Sequence, residues 1–182
     1  NSNNCIIINE IMNNPDAVSD YMGEWFELYN NTAEPINLDG WSVRDNGSDF
    51  MDIWWIIEPY SFRVFNLESS FSLGNGADEI ILIGPEYGIV DSVAYDGGIT
   101  FPDEAGVSMA LIDTHLDNSV GENWAMSTTL SGSGDLASPW EPNFVGDIDI
   151  PIYSMYFDTT AIQTTQSQSL SIYNLGGGSL EI

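Results

Sequence analysis

The side chains of this chain that could do chemistry are almost all carboxylates. Twenty-eight Asp and Glu stand against two arginines, one histidine and one cysteine, for a formal charge of -26. Their most specific use would be to hold a hard cation, because calcium collects carboxylate, amide and carbonyl oxygens into one loop. Three groups have suitable spacing. Asp45-Asn46-Gly47-Ser48-Asp49, with Asp52 just beyond, sets oxygens around a glycine that permits a tight bend. Asp113, Asp117, Asn118 and Glu122 form a second group. Asp147 and Asp149 form a third; one residue apart, they share one side of a strand and could clamp an ion at a domain junction. None fits the helix-flanked calcium loop, which needs a glutamate at its last position. The competing reading of each group is ordinary loop acids in water.

Catalytic readings fail on inventory. His115, in Asp113-Thr114-His115-Leu116-Asp117, is the only histidine. It has acids beside it but no G-x-S-x-G elbow and no second activating group, so it reads as a surface-loop residue. One His and one Cys do not make the N/S ligand set of zinc. Paired carboxylates of the glycosidase kind carry no specificity among so many acids. Gly74-Asn75-Gly76 is too short to cradle a phosphate and reads as a turn. The expectation is a protein that is not an enzyme.

Two acids belong in a different category. Glu10 and Glu27 lie inside apolar runs, where an unpaired charge is costly. They are expected to be structural: bonded to backbone or Asn side chains, bound to a cation, or protonated. Arg44 and Arg63 are the only cationic side chains that could neutralise the pair. A cluster of aromatics, Trp54, Trp55, Tyr60 and Phe62, supplies the candidate binding surface. Rings beside carboxylates and amides suit a sugar face or a protein partner, although core packing accounts for part of the cluster.

The elements that must position these residues are strands. Residues 5–12, 24–30, 41–45, 52–57, 61–67, 79–84, 88–95 and 107–113 each carry four or more apolar or β-branched positions. Turn clusters separate them, among them Asn13-Asn14-Pro15-Asp16, Asp45-Asn46-Gly47 and Gly84-Pro85-Glu86-Tyr87-Gly88. With no helical periodicity, this spacing predicts an all-β sandwich. In 24–30 both faces are partly apolar, as in a strand between a core and a covering loop. The unbroken Ile80-Ile81-Leu82-Ile83 predicts a central strand buried on both faces, joined to 88–95 as an antiparallel hairpin. Residues 114–146 are rich in Ser, Gly, Asn and Pro and read as a segment wrapped over the sandwich, with Trp124 and Trp140 as anchors. A boundary is expected near Gly146-Asp147, giving domains 1–146 and 147–182. In the latter, 152–157, 167–174 and 179–182 read as strands of an incomplete β unit whose open edges favour pairing with a neighbour. Cys5, the lone cysteine, excludes an intrachain disulfide and reads as a small buried hydrophobe.

The order of the segments resembles the lamin tail domain in its prokaryotic form, an immunoglobulin-like β-sandwich. Ile8-Asn9-Glu10-Ile11 comes first, then Gly23-Glu24-Trp25-Phe26-Glu27-Leu28-Tyr29-Asn30, then Pro35 to Val43. Ser72 to Leu82, Val90 to Tyr95, Val107 to Asp113, Asn123-Trp124-Ala125 and Pro142-Asn143 follow, so the likeness spans roughly residues 5–145. It departs at Glu58-Pro59-Tyr60-Ser61-Phe62, where the family usually has a Pro-Gly-Gly type turn. Asn174 to Ile182 resembles a hairpin near the start of bacterial immunoglobulin-like domains, so the chain reads as part of a longer protein. The resemblance implies a binding or anchoring unit of an exported protein, in a family whose members sit beside nucleases, phosphoesterases and adhesion modules.

Charge limits the partners. Duplex nucleic acid is held chiefly by Lys and Arg displacing counterions, so this surface predicts no direct nucleic-acid binding. No run approaches the roughly 20 apolar residues of a membrane-spanning helix, so no membrane insertion is expected. Asn1 to Asn4 carry no signal features, so an export signal is expected to be removed or absent from this stretch. The expectation is a non-catalytic, extracellular or cell-surface interaction or structural module, stiffened by calcium if any cofactor is used. It would assemble through a protein partner or its own β edges. The alternatives are a carbohydrate-binding accessory domain, or the targeting domain of an exported nuclease or phosphoesterase. Asn30 and Asn46 also sit in glycosylation triplets.

Overall fold

The computed structural model describes residues 5–67, 69–86 and 88–144, with the backbone of Ile148–Asp149 and Tyr173–Asn174. The chain divides into two compact units, Asn1–Asn143 and Phe144–Ile182.

The first unit is built from β1 (Ile6–Met12), a single helical turn α1 (Asp20–Gly23), β2 (Trp25–Asn30), β3 (Ile36–Asn37), β4 (Trp41–Arg44), β5 (Phe50–Ile53) and β6 (Ile56–Ile57). It continues with β7 (Phe62–Asn66), β8 (Ala77–Gly84), β9 (Gly88–Asp96), β10 (Met109–Leu111) and β11 (Trp124–Met126). A five-stranded sheet runs β11-β10-β1-β2-β7 and a four-stranded sheet runs β5-β4-β8-β9, with β3 and β6 pairing as a small third sheet. All strand pairs are antiparallel. The core lies between the two larger sheets, where Ile6, Ile8, Phe26, Leu28 and Phe65 of one meet Val43, Met51, Ile80, Leu82 and Val93 of the other. Phe26 stacks on Phe65 with ring centroids 5.4 Å apart. Cys5 is half-buried against this core.

β1 is buried along its whole length, because its second face is covered too. A bulge sets the pairing: Ile8 faces Leu28, but Glu10 faces Glu27, so Asn9 is the extra residue. Bulges re-aim side chains, and this one puts two glutamates side by side on the face away from the core. β8 lies between β4 and β9 with Ile80, Ile81 and Leu82 buried, and it turns at Gly88 (φ +67°) into β9, the hairpin expected from the sequence.

Three expectations need correction. The run 52–57 is not one strand: Phe50–Ile53 pairs with β4, whereas Ile56–Ile57 pairs with β3. The chain changes sheets at Trp54-Trp55, which are left outside both ladders. The run 107–113 yields only Met109–Leu111, with Val107 bridged instead to Leu136. Trp124 is a buried anchor, its indole N–H donating to Asn118 O at 2.9 Å, but Trp140 is 50% exposed.

In the second unit, Ile148–Asp149 (β12) and Tyr173–Asn174 (β13) pair antiparallel. The strands expected over 152–157 and 179–182, the expected strand 167–174 up to Tyr173, and the glycine-rich hairpin before Ile182 lie outside the described residues.

Candidate interaction site

The buried carboxylates show one use to which the acids are put. Glu10 and Glu27 are both fully buried. Glu10 Oε1 accepts from the Ser108 hydroxyl and from Ser138 N–H at 2.8 Å, and Oε2 accepts from Ser138 Oγ at 3.1 Å. Glu27 Oε1 accepts from Asn9 Nδ2 at 2.9 Å and Oε2 from Trp140 N–H at 2.6 Å. Burial pushes the Glu27 carboxyl up to about 8, with Glu10 beside it adding to the rise. Burial also raises Glu10, against the pull of Ser108 and Ser138. Asn143 completes the join, donating to Asn9 O and Leu111 O at 2.9 Å each. The pair is therefore a seam that fastens residues 138–143 onto β1, β2 and β10, and its donors are hydroxyls, amides and backbone.

The expected arginine is not part of it. In the β2–β7 register Arg63 lies opposite Leu28, one residue off from Glu27, so the two-residue period of a strand sends it to the other face. Its guanidinium sits 3.6 Å over the ring of Trp55 and 5.2 Å from that of Trp140. Its Nε is buried without an acceptor, and burial lowers its pKa. Arg44 is in the opposite sheet and exposed.

Sequence reasoning missed other buried polar groups. Asp91, 2% exposed, accepts from Ile8 N–H and Asn118 Nδ2 at 2.7 Å each. It thereby supplies an acceptor to a backbone N–H beside the β1 bulge. The signal was present: Asp91 shares the inward phase of Val93 and Tyr95 on an alternating strand. Glu24 is also buried, with Leu73 N–H at 3.1 Å, and its pKa is raised by burial. Asn30 is fully buried; its amide donates to Glu34 O, Ile57 O and Glu58 O at 2.8, 3.0 and 3.1 Å. A glycan on that nitrogen is incompatible with the fold, whereas Asn46 is exposed.

The candidate calcium acids mostly serve their own turns. Asp45 Oδ1 accepts Asp49 N–H at 2.9 Å, and Asp49 Oδ2 accepts Ser72 N–H and Oγ at 3.1 and 3.0 Å. Asn46 N–H donates to the Glu79 carboxylate. Asp52 is exposed on β5 opposite Ser42. Asp113 Oδ1 accepts His115 N–H at 2.8 Å and pairs with His115 Nδ1 at 2.9 Å, the imidazole being 72% exposed. Asp117 Oδ1 accepts from Ser119 Oγ and N–H at 2.7 and 3.0 Å, which lowers its pKa. Glu122 is exposed, but Asn118 is only 1% exposed and donates to Ile8 O, so it is a strut of the sandwich rather than a loop ligand. Among the described residues, no three His, Cys, Asp or Glu converge as a metal cage. Asp147 and the side chain of Asp149 lie outside the described residues.

The exposed aromatics lie on the segment where the chain changes sheets and on the turn after it. Trp54, Trp55, Ile56 and Tyr60 are 59%, 53%, 57% and 60% exposed. Phe62 is not part of the open surface; it is half-buried against Tyr29, ring centroids 4.8 Å apart. The supporting backbone is fixed at both ends. Leu38 N–H donates to Trp55 O at 2.8 Å, Asn30 holds Ile57 and Glu58 from beneath, and Asn30 N–H donates to Ser61 O at 3.0 Å. Tyr60 has φ +51° and Trp140 φ +73°, the only non-glycine residues in the left-handed region among those described. For bulky side chains that conformation costs on the order of 1–3 kcal/mol each. Both rings nevertheless face water, so core packing does not offset the cost. Exposed carboxylates stand near these residues along the chain: Asp52 and Glu58 two residues before Trp54 and Tyr60, and Glu141 next to Trp140.

Two stacked antiparallel sheets, with polar networks given over to fastening loops, define an immunoglobulin-like β-sandwich. A sequence model of the lamin tail domain matches residues 1–97, and the chain belongs to that family. No curated protein matches the chain.

Proposed function

We propose that this chain is a non-catalytic interaction module of a larger extracellular or cell-surface protein or assembly, and that its contact surface is the aromatic patch around Trp54, Trp55 and Tyr60. The observation that carries this reading is the cost accepted at Tyr60: a position suited to glycine holds an exposed ring. The family, generally non-catalytic, supports it. So does the use made of the buried acids, which hold loops rather than line a cleft. Hydrated carboxylates suit an exterior, salty medium.

Trp54→Ser tests the surface assignment. With its ring outside both ladders, urea unfolding is expected to change by no more than about 0.5 kcal/mol. A loss of several kcal/mol would make the ring a structural part and remove the contact surface. Calcium stiffening at Asp45 and Asp49 is a separate proposal, one that requires an ion to share oxygens now bonded to Asp49 N–H and Ser72. The second reading of the patch is carbohydrate binding, favoured by flat rings beside carboxylate acceptors; a glycan array with hits abolished by Trp54→Ser would select it. Assembly through the outer strands β5, β7, β9 and β11 needs no ring and would survive that substitution. A targeting role beside an exported nuclease or phosphoesterase uses the same surface.

A further inference from the structure

Resting on the contact-surface reading above, we propose that the patch takes a cationic segment of a partner protein, arginine side chains above all, by stacking guanidinium groups on its rings beneath a rim of carboxylates.

Three observations converge on this chemistry. First, the patch already performs it internally: the Arg63 guanidinium carbon is 3.6 Å from the centroid of the Trp55 ring, with the Trp140 ring at 5.2 Å. Guanidinium groups stack on indole because the ring face is negative and because they are weakly hydrated. Second, Arg63 uses only part of the surface. Trp54 and Tyr60 remain more than half exposed. Third, Arg63 apart, the charged residues nearest these rings along the chain are acidic. Asp39 follows Leu38, whose N–H bonds Trp55 O; Asp52 precedes Trp54 by two residues; Glu58 precedes Tyr60 by two; all three are exposed. With Arg44 and Arg63 the only arginines and no lysine in the chain, the field of -26 attracts cations and repels anionic ligands at every approach. A neutral sugar gains nothing from that field. A basic peptide gains both steering and stacking.

The experiment must separate a built site from general attraction of a polycation to an acidic protein. The probes are a short peptide of alternating Arg and Gly, its Lys-Gly counterpart, and a neutral glucan oligosaccharide, each titrated against the whole chain by calorimetry and tryptophan fluorescence. Wild type is compared with Trp54→Ala, with Tyr60→Gly, and with a remote charge variant, Asp103→Asn/Glu104→Gln, both of whose sites are exposed. The arginine peptide is expected to bind more tightly than the lysine peptide, to quench tryptophan emission, and to lose about ten-fold in affinity in the ring variants. The remote variant is expected to lose less than about two-fold. Equal losses in ring and remote variants, or no loss in the ring variants, would overturn the proposal. Ring-dependent binding of the glucan without an arginine preference would also overturn it, while leaving the patch as the contact surface. Loss of folding stability in Trp54→Ala would instead bring down the contact-surface reading itself.

Discussion

Glu27 shows how a single acid can be informative. Its carboxyl titrates at about 8 in the folded chain, against 4.5 when free. The folded state therefore keeps a proton that the unfolded chain releases, so its stabilising effect is complete below about pH 4.5 and is lost as pH rises towards 8. The raised carboxyls of Glu10 and Glu24 act in the same direction. Urea unfolding between pH 5 and 8 should show stability falling with pH, and Glu27→Gln should flatten that slope. General charge repulsion gives the same sign, but it would leave the slope of the variant unchanged, and that result would contradict the assignment. The sequence marked Glu10 and Glu27 as structural because charges inside apolar runs need partners. It anticipated backbone and Asn donors, which Asn9, Ser138 N–H and Trp140 N–H are, but not where most of them come from: Ser108, Ser138 and Trp140 lie 98 to 128 residues from their carboxylates and carry no pattern of their own. Arginine was the wrong partner because strand register, not scarcity of cations, decides which face a side chain reaches.

Elements were more legible than side chains. Alternation and turn residues located most of the strands, and the β8–β9 hairpin followed from an apolar run closed by Gly84 to Gly88. The failure over 52–57 has a physical cause: a period-two pattern is the same on both sides of a sheet change, so the break at Trp54-Trp55 is invisible to it. Asn30 is what holds that break in place. Removing its side chain in Asn30→Ala takes the amide donor from the Ile57 and Glu58 carbonyls and leaves Glu34 O with the Thr32 hydroxyl at 3.0 Å. The expected cost is about 2–4 kcal/mol, read by chemical denaturation, with faster amide exchange at Ile57. A loss under about 0.5 kcal/mol would mean that the loop is held by other contacts.

Across the whole molecule, the departure from the usual Pro-Gly-Gly turn at Glu58 to Phe62 was visible in the sequence, but its meaning was not; only the backbone shows that Tyr60 occupies the glycine conformation. The acidity was equally plain, and its division between buried seams and an open surface required the fold. If the loop acids are solubilising groups, thermal melting in millimolar calcium and in EDTA should give the same midpoint. A rise of several degrees with calcium would assign Asp45 and Asp49, or Asp147 and Asp149, to ion binding. Equilibrium urea unfolding of Tyr60→Gly decides whether the ring at Tyr60 serves contact at the expense of stability. Relief of the left-handed strain predicts a gain of about 1 kcal/mol; a loss of comparable size would show that the tyrosine holds the fold together and is not there for a partner.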